Sequence, residues 1–101
     1  MSDALVKKYE EKFKETITVI HAAFEVEPQI VAKIGVDKRL SATEKCEVAF
    51  RLTNSINTAW YASDNVNYIG PKKTCRSTAM HDFILIGTNK YKFTSTGWEL
   101  V

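Results

Sequence analysis

The spacing of apolar residues changes once along the chain, near residue 62. Before that point apolar side chains recur every three to four positions, which is the period of an amphipathic helix. After it they alternate with polar residues or form short runs of β-branched and aromatic side chains, which favour strands. The pattern predicts helices in the first two thirds of the chain and strands in the last third.

The first predicted helix runs from about Asp3 to about Phe24. Its evidence is one stripe of apolar residues spaced three or four apart: Leu5, Tyr9, Phe13, Ile17, Ile20 and Phe24. The β-branched run at 16–20 lowers helix propensity, but the stripe continues through it without a break. We therefore interpret this segment as a helix.

Two shorter patterns predict the second and third helices. Pro28 suits a first helical turn and Gly35 suits a C-terminal stop, so a short helix is predicted between them. Ser41–Glu44 has the Ser-x-x-Glu spacing of a capping box, which predicts that a third helix begins there and runs toward Trp60.

The strands are predicted beyond this point. Residues 66–69 read as a short strand, and 83–86 as a buried strand followed by a turn at 87–90 and a returning strand at 91–95. Gly97 is expected to interrupt the chain after the hairpin. Residues 72–80 stay open between a helix that begins at Pro71 and an alternating strand.

The predicted fold is therefore α+β, with three helices in the N-terminal two thirds packed on a small antiparallel sheet that ends in a β-hairpin. The chain has 101 residues and is 45% hydrophobic, which predicts a single globular domain over 1–101. A chain of this length buries roughly two thirds of its unfolded surface, enough for a core without metal or disulfide support.

Charge and targeting signals narrow the class of protein. The net charge is only +2, from 14 basic and 12 acidic residues, which is a small excess for a strong non-specific nucleic-acid binder. The start of the chain lacks the apolar run of a secretory signal, and no stretch approaches the ~20 apolar residues of a membrane span. We therefore expect a cytoplasmic protein that does not contact membranes.

The cysteines predict neither a disulfide framework nor a metal site. Cys46 and Cys75 are too few for a framework, and the reduced state is favoured over a bridge between them. The two cysteines and two histidines show no CxxC or HxxxH spacing, so no metal or other cofactor is expected.

Catalysis has little support in the sequence. The one candidate combination is a Cys75 nucleophile with His21 or His81 as its base, because such partners can be distant in sequence. Lys73 and Arg76 would lower the pKa of the thiol. Nothing around Cys75 resembles a nucleophile elbow, and no glycine-rich phosphate loop exists, so we predict that the protein is not an enzyme.

The segment from Trp60 to Arg76 has the composition of a recognition surface. Tyr and Trp supply contact area at low entropic cost, and Asn and Asp supply adaptable hydrogen bonds. Tyr61 should point away from the Trp60 stripe, whereas Trp60 and Tyr68 could instead close the core. The predicted partner-binding residues are Tyr61, Asp64, Asn65, Asn67, Tyr68, Lys72, Lys73 and Arg76.

A nucleic-acid-binding domain is the alternative. A recognition helix over 72–80 followed by the hairpin resembles the winged-helix arrangement in outline, with basic residues at Lys72, Lys73, Arg76, Lys90 and Lys92. Residues 30–36 also resemble the first helix and turn of a helix-turn-helix, although Ser41 departs from that pattern. A solvated basic surface explains the same cluster without a nucleic acid.

The sequence favours a protein that acts by binding another protein. Its size, single domain and lack of catalytic motifs fit an adaptor or inhibitor of the phage or mobile-element type. A protein partner is expected first and a nucleic acid second, and self-association stays open.

Overall fold

A six-stranded antiparallel sheet dominates the computed structural model, which describes residues 14–54 and 59–101. The strands are β1 (Lys14–His21), β2 (Gln29–Asp37), β3 (Asn67–Tyr68), β4 (Phe83–Ile86), β5 (Asn89–Thr94) and β6 (Gly97–Leu100), in the spatial order β3-β2-β1-β4-β5-β6. These ranges contain one α-helix, α1 (Ala42–Leu52), and a 3₁₀ turn at Trp60–Ala62. Neither is long and apolar enough to cross a membrane.

The prediction of three helices on a small sheet is wrong, and the first helix shows why. Strand β1 and the start of the loop after it occupy the described part, 14–24, and the part before Lys14 lies outside the described residues. Burial alternates along β1, where Ile17 and Val19 are buried and their neighbours are not. The β-branched run therefore outweighs the helical spacing. Phe24, the last residue of the predicted stripe, is 76% exposed.

The second predicted helix is also wrong, and with it the resemblance to a helix-turn-helix. Strand β2 covers residues 29–37 and pairs antiparallel with β1, including Gly35 opposite Thr16. A helix of seven residues is marginal by itself. Pairing along β1 instead satisfies the backbone and buries Ile34 and Val36.

The capping box is confirmed as the start of α1. The Ser41 hydroxyl accepts a hydrogen bond from the Glu44 amide at 3.1 Å, and the Glu44 carboxylate accepts one from the Ser41 amide at 3.1 Å. The helix ends at Leu52, short of Trp60. There the Thr53 hydroxyl donates to a carbonyl of the last helical turn at 2.7 Å and closes the helix.

The C-terminal hairpin is confirmed, because β4 and β5 pair across the turn at Gly87 and Thr88. Strand β3 confirms the short strand predicted at 66–69, although it is only two residues long. The sequence missed β6, since Gly97 begins that strand instead of interrupting the chain after the hairpin. Its φ of +121° suits the tight turn between β5 and β6, a conformation that glycine adopts at little cost.

Residues 72–79 form neither of the two elements left open for them, but an irregular segment. The winged-helix outline is therefore wrong, because residues 72–80 form no recognition helix before the hairpin. Lys90 and Lys92 stand opposite Leu85 and Phe83 on the hairpin, on the side of the sheet away from buried Ile84.

The core lies between α1 and one face of the sheet. It comprises Ile17, Val19, Val31, Ala32, Ile34, Val36, Cys46, Ala49, Trp60, Val66, Ile84 and Ile86. A bulge shifts the register of β1 and β2, since Val19 pairs with Ala32 but Ile20 pairs with Ile30. The extra residue, Val31, is buried beside Ala32. Bulges of this kind bend a strand, and here the bend lies beside the pocket described below.

We expect Ser41→Ala to lower the free energy of unfolding by about 1 kcal/mol, because it leaves the Glu44 amide in the first turn of α1 without its acceptor. Urea denaturation would measure this. Ser95→Ala, in the exposed turn before β6, is the matched control and should change stability little. Equal unfolding midpoints for Ser41→Ala and the wild type would contradict the capping role.

Candidate functional site

A pocket of about 630 Å³ opens beside the bulged ends of β1 and β2. The segment 24–29 forms one wall, and Tyr68 with the irregular segment 71–76 forms the other. Apolar side chains such as Phe24, Val26 and Val31 share this lining with the polar groups of Cys75 and Arg76. Concave sites of this size with a few convergent polar groups are typical of binding sites.

The buried carboxylate of Asp82 joins the two walls. Its Oδ1 accepts hydrogen bonds from the amides of Ala22 and Ala23 at 2.8 and 2.9 Å. Its Oδ2 accepts one from the Ala79 amide at 2.7 Å, and both oxygens accept from the guanidinium of Arg76 at 2.7 and 2.8 Å. One side chain therefore fixes the start of the 22–28 loop and the 76–79 segment together.

Arg76 extends this network to the mouth of the pocket. Its guanidinium donates to the Glu25 carboxylate at 2.7 and 3.1 Å and lies 4.9 Å from the centre of the exposed Phe24 ring. These hydrogen bonds hold the pKa of Glu25 below its usual value. Burial alone would raise the pKa of Asp82, but the Arg76 and amide hydrogen bonds hold it below 3.8. Two carboxylates therefore neutralise the Arg76 charge.

A chain of hydrogen bonds fixes the proton positions on His21, which is 1% exposed. The Thr53 hydroxyl gives its proton to the Ala49 carbonyl at 2.7 Å, so it accepts from Thr78 at 2.7 Å. Thr78 then accepts from Nε2–H of His21 at 3.0 Å. Nδ1 is left without a proton and faces the Cys75 sulfur at 3.6 Å.

Donation in the opposite direction along these hydrogen bonds is less favourable in free energy. It would remove the hydrogen bond from Thr53 to Ala49, a loss of about 1 kcal/mol. It would also leave Nε2 without a proton beside the Asp82 carboxylate, 3.9 Å away. The lone pair of Nε2 is repelled by this carboxylate, whereas an N–H group would be attracted to it. His21 therefore carries its proton on Nε2, and the Cys75 thiol donates to Nδ1.

The thiol and the imidazole are both neutral at rest. Burial lowers the pKa of His21, with the Asp82 charge acting in the opposite direction. Burial also raises the pKa of the Cys75 thiol. Arg76 does lower that pKa, as the sequence predicted, but the effect of burial is larger. The pair is thus a thiol beside an unprotonated base, an arrangement that can produce a nucleophile as the proton leaves.

Tyr68 forms the wall next to this pair. Its hydroxyl donates to the Lys72 carbonyl at 2.6 Å. Its ring meets the Trp60 ring edge to face, with centroids 5.5 Å apart. A Cβ atom at Gly70 would lie about 2.5 Å from the Tyr68 ring, so only glycine lets the ring fold back over the chain.

The structure brings some of the predicted partner-binding residues together and separates others. Tyr68, Lys72 and Arg76 line the pocket. Tyr61 is half-buried against the rings of Trp60 and Tyr68, with centroids 5.9 and 5.7 Å away. The remaining residues are exposed and lie outside the lining: Asp64, Asn65, Asn67 and Lys73. Trp60 closes the core, where its ring N–H donates to the Arg76 carbonyl at 2.9 Å.

Sequence reasoning missed the loop 22–28 and the Asp82 carboxylate. The predicted first helix placed Phe24 at its buried end, so its exposure was not foreseen. The sequence left His21 and His81 as alternative bases for Cys75, and the structure pairs Cys75 with His21. The alternation of Ile17, Val19 and His21 is a signal that could have located this histidine on the buried face.

Comparison of the chain with protein-family models, with curated proteins and with solved structures found no match. Within 14–54 and 59–101, no group of three or more His, Cys, Asp or Glu side chains is placed to hold a metal ion. The geometry of the pocket is therefore the basis for a functional proposal.

We expect Asp82→Asn to lower the free energy of unfolding at pH 7 by about 3 kcal/mol, because the charge of Arg76 loses a buried partner. The pKa of Asp82 is lowered in the folded protein, so its contribution is present above pH 3.8 and is lost at lower pH. Asp82→Asn should therefore lose less stability than the wild type as the pH falls below 3.8. Urea denaturation over a pH series would measure both effects.

Asp37→Asn is the control for this experiment. Arg39 lowers the pKa of Asp37 to about 2, but this carboxylate is on the surface and joins no network at the pocket. Its replacement should leave stability at pH 7 close to that of the wild type. Equal losses for Asp82→Asn and Asp37→Asn would show that Asp82 does not organise the fold.

Proposed function

We propose that the protein is a non-enzymatic binding module that recognises an extended segment of another protein at the pocket mouth. The observation that carries this proposal is the apolar rim: Phe24 is 76% exposed and Val26 is fully exposed, and both line the pocket. Large apolar side chains at the edge of a cavity are typical of surfaces that become buried when a partner binds.

The rim is held in position before any partner arrives. Phe24 stacks on the guanidinium of Arg76, which Asp82 fixes in turn. Tyr68 is fixed on the opposite wall by its hydrogen bond to Lys72. A surface that is already ordered loses little conformational entropy on binding, which favours affinity.

The charges around the mouth favour a protein over a nucleic acid. The charge of Arg76 is neutralised by Glu25 and Asp82, so it is not available to a phosphate. The exposed Lys72 lines the pocket, and the exposed Lys73 follows it in the chain. We expect an apolar anchor residue of the partner in the pocket, with an acidic residue beside these lysines. Both cysteines are free thiols, which suits a cytoplasmic setting.

We expect peptides selected from a displayed random library against the wild type to share an apolar anchor next to an acidic residue. Val26→Ser should weaken their binding at least about tenfold, because it removes apolar contact area from the rim. Isothermal titration would measure the affinities. Binding should persist at ~0.5 M salt and after nuclease treatment, since apolar contact depends little on ions.

Val101→Ser is the matched control, because it makes the same chemical change at an exposed valine (57%) outside the pocket lining. It should bind the selected peptides as the wild type does. The proposal would be overturned by peptides that bind Val26→Ser and Val101→Ser equally well. It would also be overturned by nuclease-sensitive binding with a steep salt dependence.

A further inference from the structure

We propose that Cys75 is an acyl acceptor and that His21 is its general base, so that the pocket takes up an acyl group from an activated ester or thioester as a covalent thioester. This activity goes beyond recognition of a partner segment. It rests on the 3.6 Å contact between the Cys75 sulfur and Nδ1 of His21, inside a pocket that both residues line.

The ordered hydrogen bonds determine which nitrogen of His21 can accept the proton of the Cys75 thiol. Nε2 of His21 carries its proton toward Thr78, so the lone pair of Nδ1 is the group that faces the thiol. Cys75 is partly exposed within the lining, whereas His21 is buried behind it. An electrophile in the pocket therefore meets the sulfur first, with the base on the protein side of it.

The proposed step balances in atoms and charge. The sulfur attacks the acyl carbonyl carbon while the S–H proton moves to Nδ1 of His21. The bond from that carbon to the leaving oxygen or sulfur then breaks, and the proton on Nδ1 passes to the leaving group. The products are a thioester on Cys75 and a free alcohol, phenol or thiol, with His21 neutral again.

The groups around His21 can support its transient positive charge. The Asp82 carboxylate lies 3.9 Å from Nε2 and the Glu25 carboxylate also attracts the charge, while Arg76 opposes them. The Trp60 ring packs against the imidazole at a centroid distance of 6.2 Å and fixes its orientation. The two carboxylates therefore partly offset the burial and the Arg76 charge, both of which oppose protonation of His21.

The class of substrate follows from what the site contains. It supplies a nucleophile and a base, the two groups that an acyl compound with a good leaving group requires. Cleavage of an amide requires more stabilisation of the developing oxyanion than cleavage of an activated ester or thioester does. Apolar walls at Phe24, Val31 and Tyr68 suit a short acyl chain. Activated esters and thioesters are therefore the expected substrates.

The experiment uses p-nitrophenyl acetate as the probe and peptide mass mapping as the readout. We expect one acetyl group on Cys75 and none on Cys46, which is buried and whose pKa burial raises to about 12. Cys75→Ser should abolish the modification, and Cys46→Ser should leave it unchanged.

The pH profile separates base catalysis from a merely structural role for His21. Unassisted attack by a thiol of raised pKa would accelerate about tenfold per pH unit from pH 6 to 8. With His21 as base, the wild-type rate should instead level off above the pKa of His21, which lies below 6.5. His21→Gln should react about 100-fold more slowly at pH 7 and recover the steep profile.

Thr78→Val provides a second variant in case His21→Gln fails to fold. It removes the acceptor for Nε2–H, so it should slow acylation severalfold and leave Cys75 in place. A steep wild-type profile, or equal rates for the wild type, Thr78→Val and His21→Gln, would overturn the proposal. The small ester needs no protein partner, so acylation of Cys75 is measured without any selected peptide, and its failure is distinguishable from failure of the binding proposal.

Discussion

The buried Asp82 carboxylate is the constraint on which the rest of the site depends. It accepts five hydrogen bonds, three from backbone amides and two from Arg76. The amides belong to segments on opposite walls of the pocket, so one side chain holds both in position. A buried anion needs this many donors to offset its lost hydration. The same requirement orders the loop that carries the exposed rim and the segment that carries the thiol.

Part of this fold could be predicted from sequence because some signals are local. A capping box is complete within four residues, so Ser41 and Glu44 predicted the start of α1 correctly. The 83–86 strand and its hairpin partner depend on neighbours only a few residues away. By contrast, the segment 14–21 carries both a helical stripe and a β-branched run. Pairing with β2 and β4 decides between them, and no local signal contains that pairing.

The candidate site was harder to predict than the fold, because its residues are joined over long separations. Arg76 meets Glu25, 51 residues earlier, and Cys75 meets His21, 54 residues earlier. The aromatic and basic composition of 60–76 did predict that Tyr68, Lys72 and Arg76 belong to one region. It could not show that the Arg76 charge is neutralised internally, since Glu25 lies 51 residues earlier and Asp82 follows after the end of this segment.

The chain of hydrogen bonds from α1 to the pocket has a consequence for communication across the molecule. Its last acceptor is the Ala49 carbonyl, in the final turn of α1, and its first donor is the Cys75 thiol. Helix ends open more readily than helix centres. When this turn opens, Thr53 loses its acceptor, and the hydroxyls of Thr53 and Thr78 are free to reverse their donation. A local unfolding event would thereby weaken the preference for the His21 tautomer that accepts the thiol proton. The end of α1 would thus influence the reactivity of Cys75 through this chain of hydrogen bonds, without direct contact.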